Sequence, residues 1–162
     1  MEQLIVGKSL EMQLATLLDT LPSDATVSYM VTRLNEGEEA SIVASSKETI
    51  VHTGASMVKT LILEYVFHLA AQEQLDLNDT IALSRSPRVE GAGALMELVG
   101  NHSFSYLELC RLMMVLSDNW ATNLLIQALG MENINARAEQ LGLEHFEINR
   151  MMMDFTAVKE NR

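Results

Sequence analysis

The feature that most constrains this chain is a change of period. Between residues 26 and 45 the side chains tend to alternate, Val27, Tyr29 and Val31 with Ser28, Met30 and Thr32, Met30 being the one apolar residue of the second set. From Ser56 onward they recur at helical spacing, beginning with Val58, Leu61, Ile62, Tyr65, Val66 and Leu69. Side chains on a strand repeat every two residues and on a helix every 3.6, so the two stretches cannot share one kind of element. A hairpin followed by a mostly helical stretch describes an α+β chain.

The expected elements follow. Leu4 to Leu21 reads as a helix ended by Pro22, and Thr26 to Leu34 and Ala40 to Ser45 read as two strands joined by a turn at Asn35-Glu36-Gly37-Glu38. Ser56 to Gln74 is a helix, and Asp76 to Asn101 is irregular, with Pro87 and glycines at 91, 93 and 100. Ser105 to Leu116 follows with a capping box in Ser105-Tyr106-Leu107-Glu108. Trp120 to Leu129 and Asn133 to Leu141 are helices closed by Gly130 and Gly142. Two strands alone make a poor sheet, so the hairpin calls for partners that the rest of the sequence does not clearly offer.

Composition removes several classes of function. The 162 residues make one domain by length and carry a net charge of −11, which leaves no positive footprint for nucleic acid and repels anionic membranes. No run is long and apolar enough to span a bilayer. Cys110 is the only cysteine, and the opening Met1-Glu2-Gln3-Leu4-Ile5-Val6-Gly7-Lys8 lacks a basic region followed by a long apolar stretch. A cytoplasmic location is expected on those grounds, with a processed exported form left open.

Two short clusters can carry chemistry. In Gly54-Ala55-Ser56-Met57-Val58-Lys59, Ser56 and Lys59 stand three apart at the start of a helix, and so share a face. A serine hydroxyl is a weak nucleophile until a base takes its proton, and a lysine buried under Val58, Leu61 and Ile62 can lose its own proton and become that base. The helix N-terminus favours a developing negative oxygen. The competing account is that Ser56 only caps its helix. Ser117-Asp118-Asn119, between two helices, has the same bland alternative, since these residue types start helices.

Together the clusters are specific. Ser-x-x-Lys opening a long helix, then Ser-Asp-Asn at a helix junction, resembles the class A serine β-lactamases and their penicillin-binding relatives. The flanks agree: Tyr106 to Leu116 resembles the family's helix into that junction, Ala121-Thr122-Asn123-Leu124-Leu125 the helix leaving it, and Leu75-Asp76-Leu77-Asn78-Asp79 the turn after the nucleophile helix. The resemblance implies one β-lactamase-like region over 1–162, with 1–50 giving the helix and hairpin of the α/β part and 51–162 a mostly helical subdomain. It implies catalytic roles for Ser56 as acylated nucleophile, Lys59 as its base and Ser117 as the proton relay to the leaving nitrogen. Asn119 would bind the substrate's acyl amide and place Lys59, Asp118 would be structural, and the Ser56 N–H would form half of an oxyanion hole. No cofactor or metal is implied.

Two departures matter. The family's deacylating glutamate falls at about Met152, in Arg150-Met151-Met152-Met153-Asp154, and a methionine cannot take a proton; Asp154 and Glu160 are out of register. That points to a penicillin-binding protein, a hydrolase of another substrate or a weak β-lactamase. None of the four lysines, Lys8, Lys47, Lys59 and Lys159, is followed by Thr-Gly or Ser-Gly, the strand motif that the family uses for the substrate carboxylate and the second oxyanion N–H. The expected architecture is therefore a helical subdomain plus an incomplete antiparallel sheet, without the family's C-terminal strands and helix. A homo-oligomer or a completing C-terminal fragment is the kind of partner that would finish it.

Other candidates read as structural. His52, His68, His102 and His145 have no metal-ligand spacing, Glu64 reads as a solvated helix residue, and Cys110 as a small core residue. Gly91-Ala92-Gly93 is not a dinucleotide fingerprint, and the methionines, Met151 to Met153 among them, read as adaptable filler. The expected function is acyl transfer through Ser56 on a β-lactam, peptide, amide or ester, slow in deacylation. The alternatives are a non-catalytic relative that binds a ligand or partner, and a helical module in which both clusters are only caps.

Overall fold

The computed structural model describes residues 9–34 and 41–159. The chain forms two compact units that divide between His52 and Thr53.

In the first unit, α1 (Leu10–Leu18) begins at Ser9, whose hydroxyl accepts the Met12 N–H. It stops short of the expected Leu21, because Thr20 Oγ1 donates to the Leu17 carbonyl and Pro22 follows. The expected start at Leu4 and the turn at 35–38 lie outside the described residues. Strands β1 (Tyr29–Arg33) and β2 (Ser41–Ser46) form an antiparallel pair whose register slips at Val31/Thr32, so Ala44 faces Val31 and Ile42 faces Thr32. That bulge breaks the expected alternation, and only Ala44 becomes buried while Met30 and Ile42 stay exposed.

The second unit is helical. A 3₁₀ turn, Ala55–Met57, leads into α2 (Val58–Ala71). Strands β3 (Thr80–Ala82) and β4 (Ser103–Ser105) pair antiparallel, with Ile81 opposite Phe104. Three-residue strands leave no readable period, which is why residues 76–101 look irregular in the sequence. Ser105 caps α3 (Tyr106–Val115): its hydroxyl accepts the Glu108 N–H while Glu108 accepts the Ser105 N–H, the expected capping box. Next come α4 (Asn119–Leu129) and α5 (Met131–Gln140), and the short α6 (Phe155–Lys159), which is capped by Asp154.

Helix α4 is the centre of the core. Its polar-looking first turn is buried along with Leu124, Leu125, Ile126 and Leu129, and α2, α3 and α5 close around it through Ile62, Val66, Leu109, Met113 and Ile134. Burying each such aliphatic side chain contributes roughly 1.5–3 kcal/mol, so α4 is the element least able to shift. The N-terminal end of α4 carries the Ser117-Asp118-Asn119 junction, where Asp118 and Asn119 are buried. Among the described residues no helix is long and apolar enough to cross a membrane.

Candidate active site

Each expected residue is held by a different device. Gly54 accepts the Met57 N–H through its carbonyl at 2.8 Å, closing the 3₁₀ turn that carries Ser56. Ala55, just before it, sits at φ +43, a left-handed conformation uncommon for a residue with a Cβ. Nothing in the sequence announces that strain. The turn leaves Ser56 exposed and turns Lys59, one helical turn on, into the interior, where it is only 2% accessible.

Ser117 also has positive φ, +53, and its N-terminal neighbour Leu116 ends α3. The chain then turns into α4 with Asp118 as N-cap: one carboxylate oxygen accepts the Ala121 N–H at 2.9 Å. The other oxygen accepts the Ala94 and Leu95 N–H groups at 2.7 and 2.9 Å. Asp118 is 1% exposed, and its carboxylate ties the loop at 91–95 to the start of α4.

The geometry brings Ser56, Lys59, Ser117 and Asn119 together. Lys59 Nζ lies 3.4 Å from Ser56 Oγ and 2.8 Å from Ser117 Oγ, and the two hydroxyls are 3.1 Å apart. The same amine donates to the Ser117 carbonyl at 2.7 Å and to Asn119 Oδ1 at 3.1 Å. Burial pushes the Lys59 amine below its usual 10.5, and the Asp118 carboxylate pulls partly the other way. A lysine with a lowered pKa in reach of a serine hydroxyl is better able to take its proton, and Ser117 bonds both that hydroxyl and the amine.

Sequence reasoning overlooked two contributors to the site and one tie elsewhere. Gly91 and Gly93 pack directly on Asn119 and Asp118, and the Ala92 carbonyl accepts the Asn119 N–H at 3.0 Å. Asn123, one turn along α4, grips the methionine loop: its Oδ1 accepts the Met152 N–H at 2.8 Å and its Nδ2 donates to the Met152 carbonyl at 3.2 Å. Glu64 is not simply a solvated residue; Arg137 of α5 engages both its oxygens and ties α5 to α2. Cys110 is buried as expected, with its thiol pushed up to about 11. His68 stacks on Tyr65, and His52 bonds Ser28. Among the described residues no three His, Cys, Asp or Glu side chains stand together as a metal site needs.

A family model described as the beta-lactamase enzyme family matches residues 9–162. The chain belongs to this family. β-Lactamase BRO-1 of Moraxella catarrhalis is 30% identical over 96 residues, 55% of this chain and 31% of that protein. Among solved structures, PBP-A superposes with a TM-score of 0.72 at 26% identity, over 90% of this chain and 54% of that one. A single-residue variant of PBP-A, solved as an acyl-enzyme complex with penicillin G, superposes with a TM-score of 0.59 at 30% identity, over 64% of this chain and 39% of that one. The chain thus spans about half or less of the length of these relatives. The fold is accordingly α+β and β-lactamase-like, mostly helical, with two small antiparallel sheets among the described residues.

Proposed function

We propose that this family member performs acyl transfer through Ser56 on a β-lactam or a related amide, peptide or ester. The observation that carries the reading is the reach of one buried amine, Lys59 Nζ, to both hydroxyls and to Asn119. Neutral Lys59 takes the proton from Ser56 Oγ, and the oxygen forms a bond to the substrate carbonyl carbon. As the tetrahedral centre collapses, the carbon–nitrogen bond breaks, Ser117 gives its proton to the leaving nitrogen, and the Lys59 ammonium returns a proton to Ser117. The amine ends neutral and the substrate ends as an ester on Ser56. The Ser56 N–H faces the developing oxyanion, and the Asn119 side-chain amide takes the acyl amide of the substrate.

Deacylation needs a base for water, and the position that the family resemblance assigns to it holds Met152. A long-lived acyl adduct is therefore part of the proposal, in keeping with the acyl-enzyme complex solved for the PBP-A variant. The test is labelling by a fluorescent penicillin. Lys59→Ala should lose about 10²–10⁴-fold in labelling rate while keeping its helical circular dichroism, the usual worth of a positioned general base. Labelling at an unchanged rate would mean that Lys59 is not the base.

A further inference from the structure

We propose that Gly91 and Gly93 are positioning residues for this site, because only glycine lets the 91–95 loop close on the Ser117-Asp118-Asn119 junction tightly enough to hold it against Lys59. The proposal rests on the acyl-transfer reading of Ser56 and Lys59, and it deepens it.

The approach of the loop is unusually close. A Cβ built on Gly93 would lie 2.3 Å from the Asp118 Cγ and Oδ2 and 2.7 Å from the Asp118 Cα, and Gly93 has φ +128, a conformation that side chains rarely adopt. A rotamer change could not relieve the overlap with the backbone of Asp118. A Cβ on Gly91, at φ +104, would lie 2.8 Å from Asn119 Nδ2 and 3.4 Å from Met153 Cε. One glycine thus abuts the cap of α4, and the other abuts the side chain whose Oδ1 accepts from Lys59.

The hydrogen bonds show what the close approach accomplishes. It brings the Ala94 and Leu95 N–H groups onto one Asp118 oxygen and the Ala92 carbonyl onto the Asn119 N–H. Upstream, Trp120 Nε1 donates to the Ser86 carbonyl at 3.1 Å, fixing the start of the same loop. The junction is therefore gripped from outside by the loop and from inside by Lys59, which bonds Ser117 Oγ, Ser117 O and Asn119 Oδ1. Ser117 keeps its left-handed backbone within that grip. Forcing the loop outward would release Asp118 first, and then the three groups around the amine.

The experiment compares three alanine variants of the whole chain. Gly142 supplies the control: it too has positive φ, +77, but a Cβ there meets nothing within 4 Å. All three variants should lose stability. The limiting rate of acylation by penicillin G should fall about 10²-fold in Gly93→Ala, the size of effect produced by moving a catalytic group by about 1 Å. It should fall roughly 10-fold in Gly91→Ala, which displaces only the end of Asn119, and stay within about 2-fold in Gly142→Ala. Equal rates in the three variants, whatever their melting points, would overturn the proposal. If Gly93→Ala does not fold, Gly91→Ala against Gly142→Ala decides. If the unsubstituted chain is not acylated at all, the acyl-transfer reading fails on its own, and the positioning claim is read from the Lys59 titration by lysine-selective NMR. Burial is the larger influence on that amine, so opening the junction should raise its titration toward 10.5 in the Gly91 or Gly93 variant and not in Gly142→Ala. Identical titrations would again refute the positioning role.

Discussion

Asp118→Ala should be among the most damaging single substitutions in the helical unit. The carboxylate accepts three backbone N–H groups, from Ala94, Leu95 and Ala121, at 2.7–2.9 Å, and the bonds to Leu95 and Ala121 are buried. Leaving a buried donor unpaired costs about 1–3 kcal/mol, and losing an N-cap about 1 kcal/mol, which falls within the Ala121 contribution. Two buried orphans at about 1.5–2 kcal/mol each, with a smaller amount for the half-exposed Ala94 N–H, give roughly 3–5 kcal/mol. Most domains have only about 5–15 kcal/mol in total. With a urea slope of about 1.5 kcal/mol/M, the unfolding midpoint by far-UV circular dichroism should drop by roughly 2–3 M. Asp118→Asn, which can still accept on one oxygen, should lose about half of that. A midpoint change below about 0.5 M in Asp118→Ala would refute the claim that this carboxylate ties the loop to α4.

Four further outcomes follow. The acylation rate should rise with pH as Lys59 loses its proton, with a midpoint below the ordinary 10.5 because burial disfavours the ammonium; a midpoint at or above that value, read from stopped-flow labelling, would remove Lys59 as base. Arg137 holds Glu64 below its usual 4.5, so the pair adds stability that is present above about 4.5 and is lost as pH falls through the lowered value. Glu64→Gln should flatten that part of the acid-unfolding curve, and the difference should shrink in high salt. Cys110, with its thiol pushed up to about 11, should resist Ellman's reagent in the folded chain at neutral pH and react once urea unfolds it. Met152→Glu should shorten the lifetime of any acyl adduct, which time-resolved mass spectrometry would follow; an unchanged lifetime would place the missing base elsewhere.

Much of the architecture was legible because it rests on long periods. The stripe from Val58 to Leu69 marks α2, and Ser105 with Glu108 marks the start of α3 to the residue. The three-residue spacing of Ser56 and Lys59 suggests a shared face, and the 3₁₀ turn that carries Ser56 still leaves its hydroxyl 3.4 Å from the amine. What remained hidden is local and steric. Left-handed backbone at Ala55 and Ser117 has no residue signature, because neither is a glycine or asparagine. Gly91 and Gly93 were visible only as punctuation; their purpose depends on Asp118 approaching from a distant part of the chain, which no window of sequence relates to them. The Asn123 grip on Met152 and the Arg137 pairing with Glu64 are long-range in the same way. Strands β3 and β4, at three residues each, are too short for alternation to register, and the bulge in β2 spoils the pattern that the hairpin seemed to promise.

The most direct test of the central claim is the intact mass of the chain after incubation with penicillin G, beside that of Ser56→Ala. A single adduct of one penicillin on the chain is expected, mapped to the peptide holding Ser56, persisting for many minutes and absent from the variant. An adduct of equal yield on Ser56→Ala, or none on a chain that circular dichroism shows to be folded, would contradict the claim.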